Sequence, residues 1–402
     1  MIDAYIYDGL RTPFGRHGGG LSRIRPDDLL ADVMRAVVGR SPFDAKGIDD
    51  VMIGCANQAG EDGRCIARHA TLVAGLPVEV PGTVLQRNCA SGLGAVVSAA
   101  HAITCGEGDV MIAGGVESMS RAPFVVAKSE AAFSRDFTVF DTTVGARFPN
   151  PKISKEFGED TMPQTADNLA IEYQIKREDC DVFAARSQGG YAAASKDGFF
   201  KDEIHSIVIP GGKKGPDVTV AADEGPRADT SLDKLGKLRA LNDGGVTTAG
   251  NASSINDGAV ALMLGSRKAG EKAGIKPRAR IVASAAAGVP PRIMGIGPVP
   301  ASQKALERAG LKLADMDVIE INEAFAAQVL SCLKGLGVAF DDSRVNPNGG
   351  AIAVGHPLGA SGPRLVLTAL RQLERTGGRY ALVSLCVGVG QGLAMVMERL
   401  DG

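Results

Sequence analysis

The chain has 402 residues, 45% hydrophobic and 22% charged, with 52 glycines, no tryptophan and a formal net charge of −2. That apolar content excludes wholesale disorder, and the near-neutral balance offers no basic surface for nucleic acid. Apolar runs are short and broken by glycine or charge, as in 102–115, which excludes a membrane span, and the length suits two or three domains. Neither the MIDAYIYDG start nor the MERLDG end reads as a targeting signal, so a cytoplasmic location is expected.

Leu29–Val38 carries helical spacing, and Val51–Ile53 reads as a buried strand. In LQRNCASGLGAV, residues 85–96, an apolar-to-polar run reaches Cys89 and small residues then open a helix that continues through Ala95–Ala102. A thiol there faces unpaired backbone N–H groups and the positive end of the helix dipole, which predicts a pKa below the usual value of about 8.5. Ala90, Ser91 and Gly92 leave room for a substrate. Cys89 is therefore a candidate nucleophile, the alternative being a buried structural cysteine.

Val110–Ala113 reads as the next strand. Residues 122–245 are rich in charge, glycine and proline and read as a loop-rich insertion, with helices at Ala166–Tyr173 and Asp181–Ala194. Such insertions often cover a substrate. After a helical pattern at Gln303–Arg308, the strand Val318–Ile321 ends at Asn322-Glu323-Ala324-Phe325, where α/β sheets collect ligands. Asn322 could equally cap a helix. GGAIAVGHPLGASG, residues 349–362, sets His356 among glycines and alanines, as a base for a thiol, a donor to an oxyanion, or a loop tie. The other histidines, His17, His69, His101 and His205, read as surface or packing residues. Leu365–Leu373 is helical in pattern and Ala381–Leu385 strand-like. LCVGVGQG, residues 385–392, then places Cys386 at a strand end, and its GxGxG spacing does not fit a dinucleotide loop. The seven cysteines contain no CxxC pair, which argues against a zinc cage and for free thiols.

Two segments recur. DVMIGCAN at 50–57 resembles DVIEINEA at 317–324, and residues 90–113 resemble 360–383 without gaps, Ala90-Ser91-Gly92 matching Ala360-Ser361-Gly362. Strands alternating with helices in two similar halves predict a duplicated α/β fold around the insertion. The expected domains are 1–121 with 246–269, the insertion 122–245, and 270–402.

These motifs together resemble the thiolase family, whose pattern is C-(A/G)-S-G, N-E-A-F, G-G-A-I-A-x-G-H-P-x-G-A-S-G and C-x-G-x-G-x-G in that order, and the resemblance covers essentially the whole chain. It implies a duplicated α/β/α/β/α layered fold with an inserted loop domain. It implies Cys89 as acylated nucleophile, His356 as its activator and an oxyanion donor, and Cys386 as proton carrier to the α-carbon. Asn322 would hold a water in that oxyanion hole, and the backbone N–H groups of Cys89 and Gly388 would form a second. Coenzyme A is then a cosubstrate, with no permanently bound cofactor and no metal. Ala249, Ser253, Met162, Met294, Ala324 and Phe325 match pantetheine-channel positions, and Arg227 matches a basic residue near the adenine end. Asn242 stands where many relatives carry an aromatic, and Thr161 where acetoacetyl-specific members often carry histidine. GCANQAGEDGR, GGVESMSRAPF, RFPNP and TMPQTADN resemble bacterial 3-oxoadipyl-CoA thiolases of aromatic-compound breakdown, with Arg121, Arg135 and Arg147 as candidate partners of the acyl tail. The resemblance further implies a homotetramer built from dimers, acting on acyl-CoA and CoA, with neither nucleic acid nor membrane as partner. An acetoacetyl-CoA acetyltransferase, a ketoacyl-synthase-like condensing enzyme and a non-catalytic acyl-CoA-binding protein are the alternatives.

Overall fold

The computed structural model describes residues 2–135, 137–211 and 215–401. Its main sheet is built on β1 (Ala4–Arg11), β2 (Asp50–Gly54), β3 (Thr83–Leu85), β4 (Val110–Ser118), β5 (Asn256–Gly265), β6 (Ala279–Gly288), β7 (Val318–Ile321), β8 (Tyr380–Val387) and β9 (Gln391–Arg399). They lie in the order β7-β8-β9-β6-β1-β5-β4-β2-β3, and the two-residue strand Gly15–Arg16 pairs with β5.

That order is one pattern used twice. In each half the first strand pairs antiparallel with the last, β1 with β5 and β6 with β9. The last strand then pairs antiparallel with its predecessor, β5 with β4 and β9 with β8. That strand in turn runs parallel to the second, β4 beside β2 and β8 beside β7. Even the irregularity repeats: a bulge interrupts pairing between Ile6 and Asp8 in β1 and between Ile281 and Ala283 in β6. The halves differ at the edge, where β3 pairs with β2 but only a bridge from Val345 meets Ile319 of β7. An antiparallel contact of β1 with β6 joins them.

Helices α1 (Pro26–Arg40), α2 (Ile66–Val73), α3 (Ser91–Cys105), α4 (Met162–Glu172), α5 (Arg177–Lys196), α6 (Pro298–Ala309), α7 (Ala326–Leu336) and α8 (Leu358–Thr376) complete the layers. Leu93 and Val96 of α3 share a core with Leu365 and Val366 of α8 and with Ala113 and Val383 of the strands, so α3 and α8 form the middle layer. α1 and α2 cover the outer face of the first half, and α6 and α7 that of the second. The result is the duplicated α/β/α/β/α arrangement with its insertion. Buried on both faces, the strands need no alternation of polar and apolar residues, which is why short apolar runs marked them. β6 (ARIVASAAAG) escaped the sequence reading because its alanines mimic a helix, whereas small residues suit a strand tightly covered by neighbours.

Residues 122–245 contribute α4, α5, two short ribbons (Phe124–Val126 with Val139–Asp141, Ile207–Ile209 with Val218–Val220) and short helices. A buried arginine ties this region to the core. Arg11, at the end of β1, pairs through Nε with Glu203 at 2.5 Å and through Nη1 with Asp223 at 2.6 Å. Removing one partner of such a cluster typically costs about 3–5 kcal/mol. Among the described residues no helix is long and apolar enough to cross a membrane.

Candidate active site

Cys89 sits between β3 and α3, one residue before the Ala90 cap of α3. The preceding Asn88 adopts a left-handed backbone (φ 43°), unusual for a residue with a side chain. Its Nδ2 donates to Gly388 O at 3.0 Å, and its own carbonyl accepts from Ser91 Oγ at 2.7 Å. Strain held by such bonds marks sites where side-chain direction matters. The bend leaves Cys89 half-buried, with the Gly388 N–H donating to its sulfur.

The expectation of a lowered thiol pKa at Cys89 is corrected here. Burial pushes it up to about 11, outweighing the Gly388 N–H, and the nearby Glu117 carboxylate raises it further. A helix terminus acts locally, whereas desolvation depends on everything packed around the sulfur.

Backbone-to-backbone packing brings the loops of the two halves together. A Cβ on Gly54 would lie 2.0 Å from Gly92 N, one on Gly92 2.1 Å from Gly359 O, and one on Gly115 1.9 Å from Gly359 O. Only hydrogen fits at these positions. Glu117, 1% exposed at the end of β4, fixes the same junction by accepting from the N–H groups of Ala56 (3.0 Å), Asn57 (2.9 Å) and Gly359 (2.9 Å). Burial pushes its carboxyl up to about 7 despite these bonds.

His356 is held just before α8. Its Nδ1 lies 2.6 Å from Ser361 Oγ, and its backbone N–H donates to Asn256 Oδ1 at 2.9 Å. Burial, followed by the Arg364 charge, pushes the imidazole down to about 3, so it is neutral at physiological pH. Asn322 Nδ2 lies 3.3 Å from His356 Nδ1, and the Asn322 N–H donates to Ser384 O at 2.9 Å. Asn322 does not cap a helix, since α7 starts at Ala326 with Phe325 in the cap position. Its Oδ1 is buried with no hydrogen-bond partner among the described residues. The neighbouring Glu323 accepts from Ser187 Oγ (2.6 Å), Asn346 Nδ2 (2.8 Å) and the Ile352 N–H (3.0 Å), anchoring the segment that leads to His356.

Cys386 is 1% exposed near the end of β8, and burial, then the neighbouring Cys89, holds its thiol well above the ordinary value. It packs with Ala166, Met294, Ala324 and Phe325, with Ala252 at the margin. Ser253 joins through its N–H, which donates to Ala324 O at 2.9 Å. Arg227 and Ala249 are exposed and line a cavity of about 180 Å³ that Ala252 also borders. Met162 stays apart, 39% exposed at the start of α4, and it is Ala166 of that helix that reaches Cys386. Asn242 has a structural task, its Nδ2 donating to Asp167 at 2.7 Å.

Of the three arginines predicted for an acyl tail, Arg121 is neutralised by Glu61 at 2.5 Å, Arg135 is exposed, and Arg147 is half-buried against Asn57 Oδ1. The sequence reading missed Asn88, Glu117, Ser361 and Glu323, though Ser361 stood in the repeat and Glu323 beside Asn322. Cys55, Asp62 and Glu117 bring ligand-type atoms within 4.8 Å of one another. Both Glu117 oxygens are occupied by N–H donors there, which leaves little for a cation. All seven cysteines are free.

A duplicated α/β scaffold that carries a half-buried thiol, a buried one, a neutral histidine and an asparagine defines an acyl-transfer class of protein. The N-terminal thiolase domain model matches residues 4–268 and the C-terminal thiolase domain model residues 275–399, so the chain belongs to the thiolase family of acyltransferases. It is 56% identical over 402 residues, all of both chains, to the 3-oxoadipyl-CoA/3-oxo-5,6-dehydrosuberyl-CoA thiolase of Escherichia coli K12. It is equally 56% identical, again over all of both chains, to a beta-ketoadipyl-CoA thiolase of Acinetobacter baylyi. Among solved structures, human mitochondrial 3-ketoacyl-CoA thiolase in complex with CoA superimposes with a TM-score of 0.91 at 38% identity, covering 99% of this chain and 98% of that one.

Proposed function

We propose that this chain cleaves 3-oxoadipyl-CoA with CoA to acetyl-CoA and succinyl-CoA, reversibly, through an acyl group carried on Cys89. The observation that carries this reading is the Gly388 N–H on the Cys89 sulfur, with the buried thiol of Cys386 close enough to feel it and a neutral His356 on the Gly355–Gly359 loop that packs against Gly92 at the start of α3. Both relatives named above, at 56% identity over full length, point to the same dicarboxylate-derived substrate.

Cys89 and His356 rest as neutral thiol and neutral imidazole, so the proton leaves sulfur as the S–C bond forms and passes to the imidazole. Attack falls on the 3-keto carbon, and the N–H groups of Cys89 and Gly388 receive the oxyanion. The C2–C3 bond then breaks. The acetyl-CoA enolate oxygen faces His356 and a water held by Asn322, whose unpartnered Oδ1 suits that task. Cys386 gives its proton to C2 and acetyl-CoA leaves. The CoA thiol then takes the succinyl group, giving up its proton to regenerate the resting enzyme. Met294, Ala324, Phe325, Ser253 and Ala249 line the pantetheine path in this reading, Met162 stands at its rim, and Arg227 meets the phosphate end.

CoA is the cosubstrate and nothing is permanently bound. The reading extends to a homotetramer in the cytoplasm, and to domains at 1–121 with 246–269, 122–245 and 270–402, which the repeated strand order supports.

The test is CoA-dependent cleavage of 3-oxoadipyl-CoA and acetoacetyl-CoA side by side, with Cys89→Ala as control. A higher kcat/KM for 3-oxoadipyl-CoA is expected. Preference for acetoacetyl-CoA would make this a general acetyltransferase, and cleavage of neither would return it to a binding role.

A further inference from the structure

We propose that Arg147 receives the distal carboxylate of the acyl chain and so sets the preference for dicarboxylate-derived substrates. The proposal rests on the substrate reading above and deepens it. A succinyl group on Cys89 carries its carboxylate carbon only about 5 Å from the sulfur, at roughly 1.5 Å per C–C bond. A charge placed there, away from bulk water, needs a cation with free donors in the wall of the same pocket.

The arginines of the surrounding elements differ in what they already hold. Arg121 and Arg25 share Glu61. Arg364 is 2% exposed and faces Glu320 from within the middle layer. Arg87, two residues before the nucleophile, also holds only a neutral amide, but it is turned across to β9, where Nη1 donates to Gln391 Oε1 at 3.2 Å. Arg147 donates through Nη2 to the neutral Asn57 Oδ1, and no carboxylate pairs with it among the described residues. Its guanidinium keeps donors for a bidentate grip on a carboxylate.

Asn57 is itself fixed to the nucleophile's surroundings. Its N–H donates to Glu117, the carboxylate whose field reaches Cys89, and its Nδ2 donates to Thr142 Oγ1 at 3.3 Å. Three residues earlier, Gly54 touches the Ser91–Gly92 backbone. The chain is constrained on both sides of the contact. Gln58 follows Asn57 at φ 52° and Phe148 follows Arg147 at φ 50°, with the Phe148 ring 4.8 Å from Phe140. Two left-handed residues without glycine thus follow the two partners of this contact. Arg227 borders a cavity whose lining includes Ala252 but neither Asn57 nor Arg147, so in this proposal the two cations serve different ends of the substrate.

The experiment compares kcat/KM for 3-oxoadipyl-CoA with that for 3-oxohexanoyl-CoA, in which a methyl group replaces the carboxylate. Wild type, R147A, R147Q and R147K are measured, R147Q keeping a hydrogen bond to Asn57 should R147A fold poorly. The preference for the carboxylate substrate should fall on the order of 100-fold in R147A and R147Q, chiefly through KM, and partly return in R147K. Equal losses on both substrates, or an undiminished preference in R147Q, would overturn the role of Arg147 and leave the substrate reading intact. A wild type without any preference would overturn the substrate reading, and this proposal with it.

Discussion

Ser91 and Ser361 occupy the same place in the two halves, in the first turn of α3 and near the start of α8, yet they hold different things. Ser91 Oγ braces the backbone carbonyl of Asn88 and so the bend that presents Cys89. Ser361 Oγ braces the ring of His356. Each half also buries one carboxylate that collects three donors from neighbouring loops, Glu117 in the first and Glu323 in the second. The duplicated frame thus keeps one serine in place and changes what it fastens, while the two carboxylates stand at different places in the repeat, Glu117 at the end of β4 and Glu323 just after β7. One half presents a thiol on a strained backbone, and the other supplies neutral imidazole, amide and a second thiol. Glu117 even crosses the boundary, since Gly359 belongs to the second half.

The sharpest way to break this comparison is to remove one thiol at a time. Cys89→Ala should cost acyl transfer on the order of 10⁴-fold or more, because no acyl-enzyme forms. Cys386→Ser should keep acylation of Cys89, read by mass spectrometry, while slowing deuterium exchange into acetyl-CoA. Equal losses in both assays would erase the division of labour. A smaller effect, of about 3 kcal/mol, attaches to Glu117. Its carboxyl titrates near 7 when folded against an ordinary 4.5, so between those values the unfolded chain gives up a proton that the folded chain keeps. Stability from this group is therefore full below about pH 4.5 and is lost as pH rises through 7. Denaturant unfolding across that window should show a shallower fall in E117Q than in wild type. An unchanged slope would place the titration elsewhere. The smallest effects separate the two serines. Ser91→Ala should lower stability by about 1 kcal/mol through the Asn88 bend, whereas Ser361→Ala should act mainly on kcat.

Much of the frame was legible because periodicity survives without a structure. Val318–Ile321 is a strand with the expected bounds, and the patterns at Leu29–Val38 and Leu365–Leu373 lie inside α1 and α8. The order of strands was not legible, since pairing is decided by residues hundreds apart. At the site, Cys89, His356, Asn322 and Cys386 stood out because small residues surround them or a strand delivers them. Glu117 did not. A lone acid in GGVESMS looks like a surface residue until the fold closes three N–H groups around it. The same blindness reversed the direction of the Cys89 shift, because local dipoles can be read from a sequence and desolvation cannot.

The contact of Gly54, Gly92, Gly115 and Gly359 has a consequence for redesign. With backbone against backbone, every side chain larger than hydrogen collides, so a substitution there has to push the two halves apart. A new specificity on this scaffold therefore has to come from the periphery. Positions 57 and 147, which stand on loops outside that glycine contact, are where a change would alter the substrate taken while the chemistry keeps its place.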